Sequence, residues 1–210
     1  MTQCTERKRG RPKTAPDEQQ RACIVERARQ LFVANGYGRT TTEDIVGACH
    51  ISKQTLYRLF EGKCGLFTAV VEAHRQEMLD LQESYHTLPL PLALEKVFKI
   101  DIDDETDRDR MALIQLARLE AQQFPELGAI AHQYGRDKLQ AELAEWLRYH
   151  CERGDIVIID PESAASMLMD MIFGPMVSRT VAGIKWPCGE ERKSHIRRCI
   201  NLFLYGACPR

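Results

Sequence analysis

Lys53, Gln54, Tyr57 and Arg58 stand at helical spacing behind a Ser52 cap and share one outward face. Their chemistry suits the edges of a DNA duplex. Lys and Arg donate to guanine, Gln pairs with adenine through two hydrogen bonds, and Thr55 and Tyr57 reach a phosphate or a thymine methyl. Arg39, Thr40, Thr41 and Lys63 sit at helix starts, where hydroxyls, backbone N–H groups and an ammonium suit phosphate oxygens. The competing reading of these residues is a solvated polar face on helices that merely pack together.

A second basic group precedes them. Arg7 to Lys13 reads Arg-Lys-Arg-Gly-Arg-Pro-Lys, in which Gly10 and Pro12 both oppose a helix, so an extended arm is expected over residues 1–13. Arg9-Gly10-Arg11-Pro12 resembles the core of an AT-hook, whose backbone lies in a narrow A·T-rich minor groove with arginines inserted. That assigns Arg7, Arg9 and Arg11 to the minor groove, against the alternative of a solubilising tail. The net charge of −1 hides this asymmetry: residues 1–65 carry +5, of which +4 lies in the arm, and residues 66–210 carry −6. One part is suited to a polyanion and the other is not.

The elements that must position these side chains are helices. Thr14-Ala15-Pro16-Asp17 reads as a capping box, followed by Ile24, Ala28, Leu31 and Phe32 on one face and a stop at Gly36. Thr41-Thr42-Glu43-Asp44 repeats the signal before Ile45, Ala48 and Cys49. After His50-Ile51, Ser52 caps a helix running to about Phe60 with Leu56 and Leu59 inward. Two short helices joined by a tight turn are a helix-turn-helix. A long amphipathic helix carrying Leu66, Phe67, Val70, Met78, Leu81 and Tyr85 is expected to run to just before Pro89. Further helices are expected at about 91–100, 107–122, 126–153 with a break near Gly135, 161–182 and 189–205. Ile156 to Ile159, the only strand-like run, is too short to make a sheet.

The fold class is therefore all-α, with a three-helix helix-turn-helix domain at residues 14–65 after the arm and a helical C-terminal domain at 66–210. Residues 161–182 are apolar around most of their circumference, and the last helix is amphipathic through Ile196, Cys199, Ile200 and Phe203. Such a pair can form a four-helix bundle across a twofold axis, with Leu168, Ile172, Met176, Ile196, Ile200 and Phe203 as the interface of a homodimer. It can also simply complete a monomeric core. Met111, Trp146, Met167 and Met171 are candidates for lining a pocket for a small apolar effector, although core packing is the commoner use of adaptable methionines.

Several function classes are disfavoured. No apolar run approaches a membrane span and no apolar segment follows the basic arm as in a signal peptide, so a cytoplasmic location is expected, which the family resemblance described below implies to be bacterial and nucleoid-associated. The eight cysteines include no CxxC pair and read as reduced packing residues. His195 and Cys199 lie four apart on one helical face, but no zinc spacing is present, so no metal and no cofactor are expected. A redox- or metal-responsive regulator and a non-specific architectural DNA-binding protein remain the alternatives. There is no phosphate loop, HExxH or GxSxG, so an enzyme is not expected.

The segment from Ala22 to Leu66 resembles the DNA-binding domain of the TetR family of bacterial transcriptional regulators. The resemblance rests on Leu31-Phe32, Gly36-Tyr37, Thr40-Thr41, Asp44-Ile45, Ser52, Thr55-Leu56-Tyr57, Phe60, Gly62-Lys63 and Leu66. Cys49, His50, Gln54, Leu59 and Cys64 depart from its pattern. His tolerates the left-handed turn that a glycine usually fills, and Gln54 adds a base-reading amide. Arg118-Leu119-Glu120, Phe124-Pro125-Glu126-Leu127, Trp146-Leu147, Gly154 and Asp160-Pro161-Glu162 are similar to the AefR-like branch of C-terminal domains. The resemblance implies a homodimer on a pseudo-palindromic double-stranded DNA operator. It also implies a small-molecule effector among the central helices that spreads the two DNA-binding domains. Repression by promoter occlusion is the mechanism expected.

Overall fold

The computed structural model describes residues 17–181 and 187–207, the side chains of 175–181, 206 and 207 excepted. The arm with Arg7, Arg9 and Arg11, and the Thr14–Pro16 part of the first capping box, lie outside the described residues. Those residues form an all-α structure of ten α-helices and no strand. Helix α1 spans Asp17–Asn35, α2 Thr42–Cys49, α3 Lys53–Leu59, α4 Gly62–Met78 and α5 Leu90–Val97. They are followed by α6 Asp104–Glu120, α7 Pro125–Ile130, α8 Asp137–Glu152, α9 Pro161–Val181 and α10 Gly189–Ala207.

Two apolar cores organise them. Ile24, Ala28 and Phe32 of α1, Ile45 of α2, Leu56 of α3 and Leu66, Phe67 and Val70 of α4 build the first, and Leu113, Ala117, Leu127 and Ile130 of α6 and α7 close it. The second gathers Met78 and Leu79, Leu94 and Val97, Leu143 and Leu147, Leu168 and Ile172, and Ile196 and Ile200. Helices α4 and α6 contribute to both, Met78 and Met111 lying in the second core and Leu66 and Leu113 in the first.

The local signals act as their chemistry requires. Gly36 ends α1 in the left-handed region at φ +88°, where a side chain would be strained. Thr41 and Asp44 close a reciprocal capping box: Thr41 Oγ1 accepts from the Asp44 N–H at 3.1 Å, and Asp44 Oδ2 accepts from the Thr41 N–H at 2.8 Å. His50 ends α2 at φ 52°, ψ 43°, the left-handed turn expected of it. The Ser52 hydroxyl accepts from the Thr55 N–H at 3.1 Å and starts α3.

The fourth helix is shorter than expected. It stops at Met78, Leu79 and Leu81 turn toward the second core, and a 3-10 turn occupies Glu83–Thr87. The physical reason lies 32 residues away, where the buried Arg110 guanidinium donates to the Met78 carbonyl at 3.1 Å and so caps the helix end. The break expected near Gly135 is a π turn, Ala131–Arg136, between α7 and α8. A Cβ at Gly135 would stand 3.3 Å from Val71 Cγ1, so glycine lets this turn lie against α4. Helix α6 starts at Asp104, earlier than expected, because Asp103 accepts from the N–H groups of Glu105 and Thr106 at 3.1 and 2.9 Å. No helix among the described residues is long and apolar enough to cross a membrane.

Candidate nucleic-acid interface and effector cavity

Helices α2 and α3 meet through the His50 turn and leave Lys53, Gln54, Tyr57 and Arg58 exposed, with Leu56 underneath fully buried. Tyr57 is 55% exposed, a high value for an aromatic ring that stands in the middle of a helix. The two cations are already paired. Lys53 bonds Glu43 across the turn, and the Glu43 carboxyl is brought down to about 2, chiefly by that bond. Arg58 forms two hydrogen bonds to Asp17 at 2.6 and 3.0 Å, tying the end of α3 to the first turn of α1. The Arg58 bond is also the main cause that holds the Asp17 carboxyl below its ordinary range. Exposed pairs of this kind exchange readily for a phosphate, because both partners are already solvated. Sequence reasoning missed both acidic partners, since each is fixed by packing between elements and not by spacing within one.

Around this face, Arg39 is exposed and its Nε donates to the Asn35 carbonyl at the end of α1, 2.7 Å away. Thr41 is exposed at the start of α2, and Thr55 is half-buried with its hydroxyl 3.0 Å from that of Ser52. Lys63 lies over the Tyr37 ring at 4.1 Å, with partial burial pulling its pKa down while Glu120 and Glu126 act the other way. Burial pushes the Tyr37 phenol up to about 12, so it stays neutral beneath that ammonium. Thr40 corrects the expectation of a phosphate contact. It is 1% exposed and its hydroxyl donates to the carbonyls of Leu31 and Gly36, at 3.2 and 2.7 Å. Its hydroxyl is used in holding the turn after α1.

That turn is gripped by α6, from more than 80 residues further along the chain. Glu120, at the end of α6, accepts from the N–H groups of Tyr37 and Gly38 at 3.0 and 2.8 Å. Phe124 packs edge-on against Tyr37 with ring centroids 5.5 Å apart. A Cβ at Gly38 would stand 2.7 Å from the Phe124 ring, and one at Gly36 2.5 Å from the Glu120 carboxylate. Both glycines are therefore needed for close approach. Arg118-Leu119-Glu120 and Phe124 stood out in the sequence as a resemblance, but their contact with the turn before α2 depends on the tertiary fold.

A cavity of about 430 Å³ lies between α4, α6, the π turn and α9. Its wall is mostly apolar, with Val71, Met78, Leu113, Ile114, Met169 and Phe173 among its residues. None of Met111, Trp146, Met167 and Met171 lines it, which corrects the expected pocket. Met111 and Trp146 are buried in the second core, Met171 packs partly buried against that core, and Met167 is 61% exposed. Helical periodicity places such residues on faces but leaves open which face meets a void.

The expected dimer interface needs a similar correction. Leu168, Ile172, Ile196 and Ile200 are buried inside one chain, where α9 packs on α8 and α10, and Phe203 is half-buried against the same core. The Met176 side chain lies outside the described residues. Leu202 and Tyr205 are instead the exposed apolar residues of α10. His195 and Cys199 do meet, with the sulfur 3.7 Å from Nε2, but the thiol donates to the Met171 carbonyl. Burial pushes the Cys199 and Cys49 thiols up, away from the reactive thiolate. Among the described residues no three His, Cys, Asp or Glu side chains gather as a metal site.

The comparisons agree with this architecture. Over 165 residues the chain is 27% identical to YvkB, an uncharacterised HTH-type transcriptional regulator of Bacillus subtilis strain 168, covering 76% of this chain and 82% of that protein. Over 73 residues it is 38% identical to the HTH-type transcriptional repressor ComR of Escherichia coli K12, 35% of this chain and 33% of ComR. The crystal structure of a TetR-family transcriptional regulator from Mesorhizobium loti MAFF303099 superposes with a TM-score of 0.74 at 25% identity, covering 93% of this chain and all of that one. Residues 24–70 match the family model of the tetR-type bacterial regulatory proteins, and residues 93–206 match that of the AefR-like transcriptional repressor C-terminal domain. With a helix-turn-helix at one end, an AefR-like domain over more than half its length and no enzymatic role in either, this chain belongs to the TetR family of DNA-binding transcriptional regulators.

Proposed function

We propose that this regulator is a homodimeric repressor in the bacterial cytoplasm that occupies a pseudo-palindromic operator and leaves it when a small lipophilic effector enters the cavity. The observation that carries this reading is the grip of Glu120 and Phe124 on the Gly36–Gly38 turn, because it joins the wall of a cavity to the entry of the helix-turn-helix. Helix α6 lines the cavity with Leu113, Ile114 and Ala117 and ends at Glu120, so an effector that moves α6 pulls on α1 and α2. In this division of labour residues 14–65 hold the operator, and residues 66–210 pair the subunits and bind the effector. Each recognition helix reads bases through Gln54, Tyr57, Lys53 and Arg58, with Arg39, Thr41, Thr55 and Lys63 on phosphates. Leu202 and Tyr205 are the apolar residues that a second subunit would cover. The arm holds the adjacent minor groove.

Selection from a random duplex pool, followed by fluorescence anisotropy on the enriched site, tests this. A palindrome should emerge, and Tyr57→Ala should bind it about tenfold or more weakly while remaining a dimer by light scattering. Protein lacking residues 1–13 should bind more weakly with a shallower salt dependence. Binding without sequence preference, or undiminished binding by Tyr57→Ala, would sink the reading in favour of an architectural role.

A further inference from the structure

His150, near the end of α8, is 1% exposed, and both of its ring nitrogens are engaged. Its Nδ1 stands 2.7 Å from the Asp155 carboxylate, which also accepts from Arg153 Nε at 3.1 Å. Its Nε2 stands 3.3 Å from Nδ1 of His86. The bond to His150 is the main cause that holds the Asp155 carboxyl below its ordinary range, so Asp155 remains an acceptor and keeps a proton on His150 Nδ1. The contact between the two rings then takes one proton, from either side. A second would set two N–H groups and two cations against each other.

The surroundings of His86 favour its neutral form. Tyr149 and Trp146 of α8 hold its ring at centroid distances of 3.9 and 5.9 Å. Partial burial is the largest reason that its pKa lies below the ordinary value, with repulsion from His150 and Arg153 adding to it and Glu83 of the same turn opposing it. Arg153 also donates to the Tyr149 hydroxyl at 3.3 Å, and on α5 Glu95 and Lys96 pair with Arg197 and Asp101. The turn that carries His86, Glu83–Thr87, joins the end of α4 to α5. Beside His86, Tyr85 donates to Asp80 at 2.7 Å, and the Asp80 N–H donates to the Val97 carbonyl at 2.9 Å. The chain leaving α4 is thus fastened to α5 through Asp80 and to α8 through His86.

We propose that His86 and His150 form a proton-operated latch: with one proton between the rings the 83–87 turn stays on α8 and the regulator holds its DNA, and protonation of both rings in mild acid frees the turn and weakens that hold. The sign follows from the lowered His86 pKa. The stability the contact gives is complete above the ordinary histidine value and is lost as pH falls through the lowered one. The DNA half of the idea rests on the operator reading above, so the test has two arms on the full-length protein. In the first, histidine-labelled protein is titrated by NMR. The His86 resonances should titrate below the ordinary histidine range, and those of His150 should move with them, whereas two independent titrations at ordinary values would overturn the latch whatever the operator reading. In the second, anisotropy on the selected duplex should show affinity falling about fivefold or more between about pH 7.5 and about 5.5. His86→Asn, which keeps a hydrogen-bonding atom where Nδ1 stands but does not titrate, should lose at most about twofold over the same range. His86→Lys, permanently charged, should bind weakly at both pH values while remaining a dimer by light scattering. A wild-type affinity that ignores pH, or a fall of equal size in His86→Asn, would overturn the regulatory role. Failure to select any preferred duplex would instead count against the operator reading and leave the first arm to decide the latch.

Discussion

Around the first core, Arg58 pairs with Asp17 and Lys53 with Glu43, and all four side chains are in water. Around the second, Asp107 stands between Arg110 at 2.6 Å and Arg192 at 3.1 Å, each of the three at most 3% exposed. The two arginines extend past the aspartate to backbone carbonyls. Arg110 reaches Glu77 and Met78 at the end of α4, and Arg192 reaches Phe98, Lys99 and Ile100 just after α5. One carboxylate and the negative ends of two helices thus offset two buried cations. The contrast separates charges kept exchangeable for a polyanion from charges spent on fixing where helices end.

That contrast can be broken at its strong end first. Asp107→Ala leaves two guanidinium groups buried without their counter-ion, and should destabilise the fold by about 3 to 5 kcal/mol in urea unfolding. An unchanged midpoint would mean that water reaches the pair. Glu120→Ala tests the joint between the regions. Losing two charge-assisted hydrogen bonds to the Tyr37 and Gly38 N–H groups should cost about 1 to 3 kcal/mol, and operator affinity should fall about fivefold or more. Stability lost with affinity intact would make Glu120 a structural prop only.

The weakest effect belongs to the exposed pairs. Asp17→Asn should leave the unfolding midpoint at neutral pH where it was and modestly raise operator affinity, because Arg58 no longer has to leave a carboxylate. The sign of its pH dependence follows from the lowered Asp17 pKa. Whatever stability the pair gives is present above the ordinary carboxylate range and is lost as pH falls through the lowered value. A large drop in midpoint at neutral pH would show that this pair holds α1 to α3 after all.

How readily each region could be read from the sequence follows from how its contacts are made. The Thr41–Asp44 box, the Ser52 cap, the His50 turn and the outward face of α3 are interactions among residues three or four apart, and all of them were visible as spacing. The end of α4 is not legible in its own residues, because its apolar period continues through Leu81 and Tyr85, while the group that stops it, Arg110, comes from another helix. Met111 and Trp146 have the chemistry of pocket residues but lie in a packed core. His74 and Met169, at the void itself, carry no local mark that separates them from neighbours on the same face. The stripe through Leu168 and Ile200 was correctly apolar but is covered by the chain's own helices.

The sequence by itself determined the all-α class, the Thr41 and Ser52 caps, the helix-turn-helix and the split of charge between residues 1–65 and 66–210. Each depends on side chains that act within a turn of where they stand. Only the tertiary structure decided which acids neutralise Lys53 and Arg58, that Thr40 turns inward, that Glu120 grips the Gly36–Gly38 turn, and where a cavity opens. Apart from Thr40, whose acceptors stand 9 and 4 positions back, those are meetings between residues from 10 to more than 80 positions apart, and they exist only once two apolar cores have fixed the helices against each other.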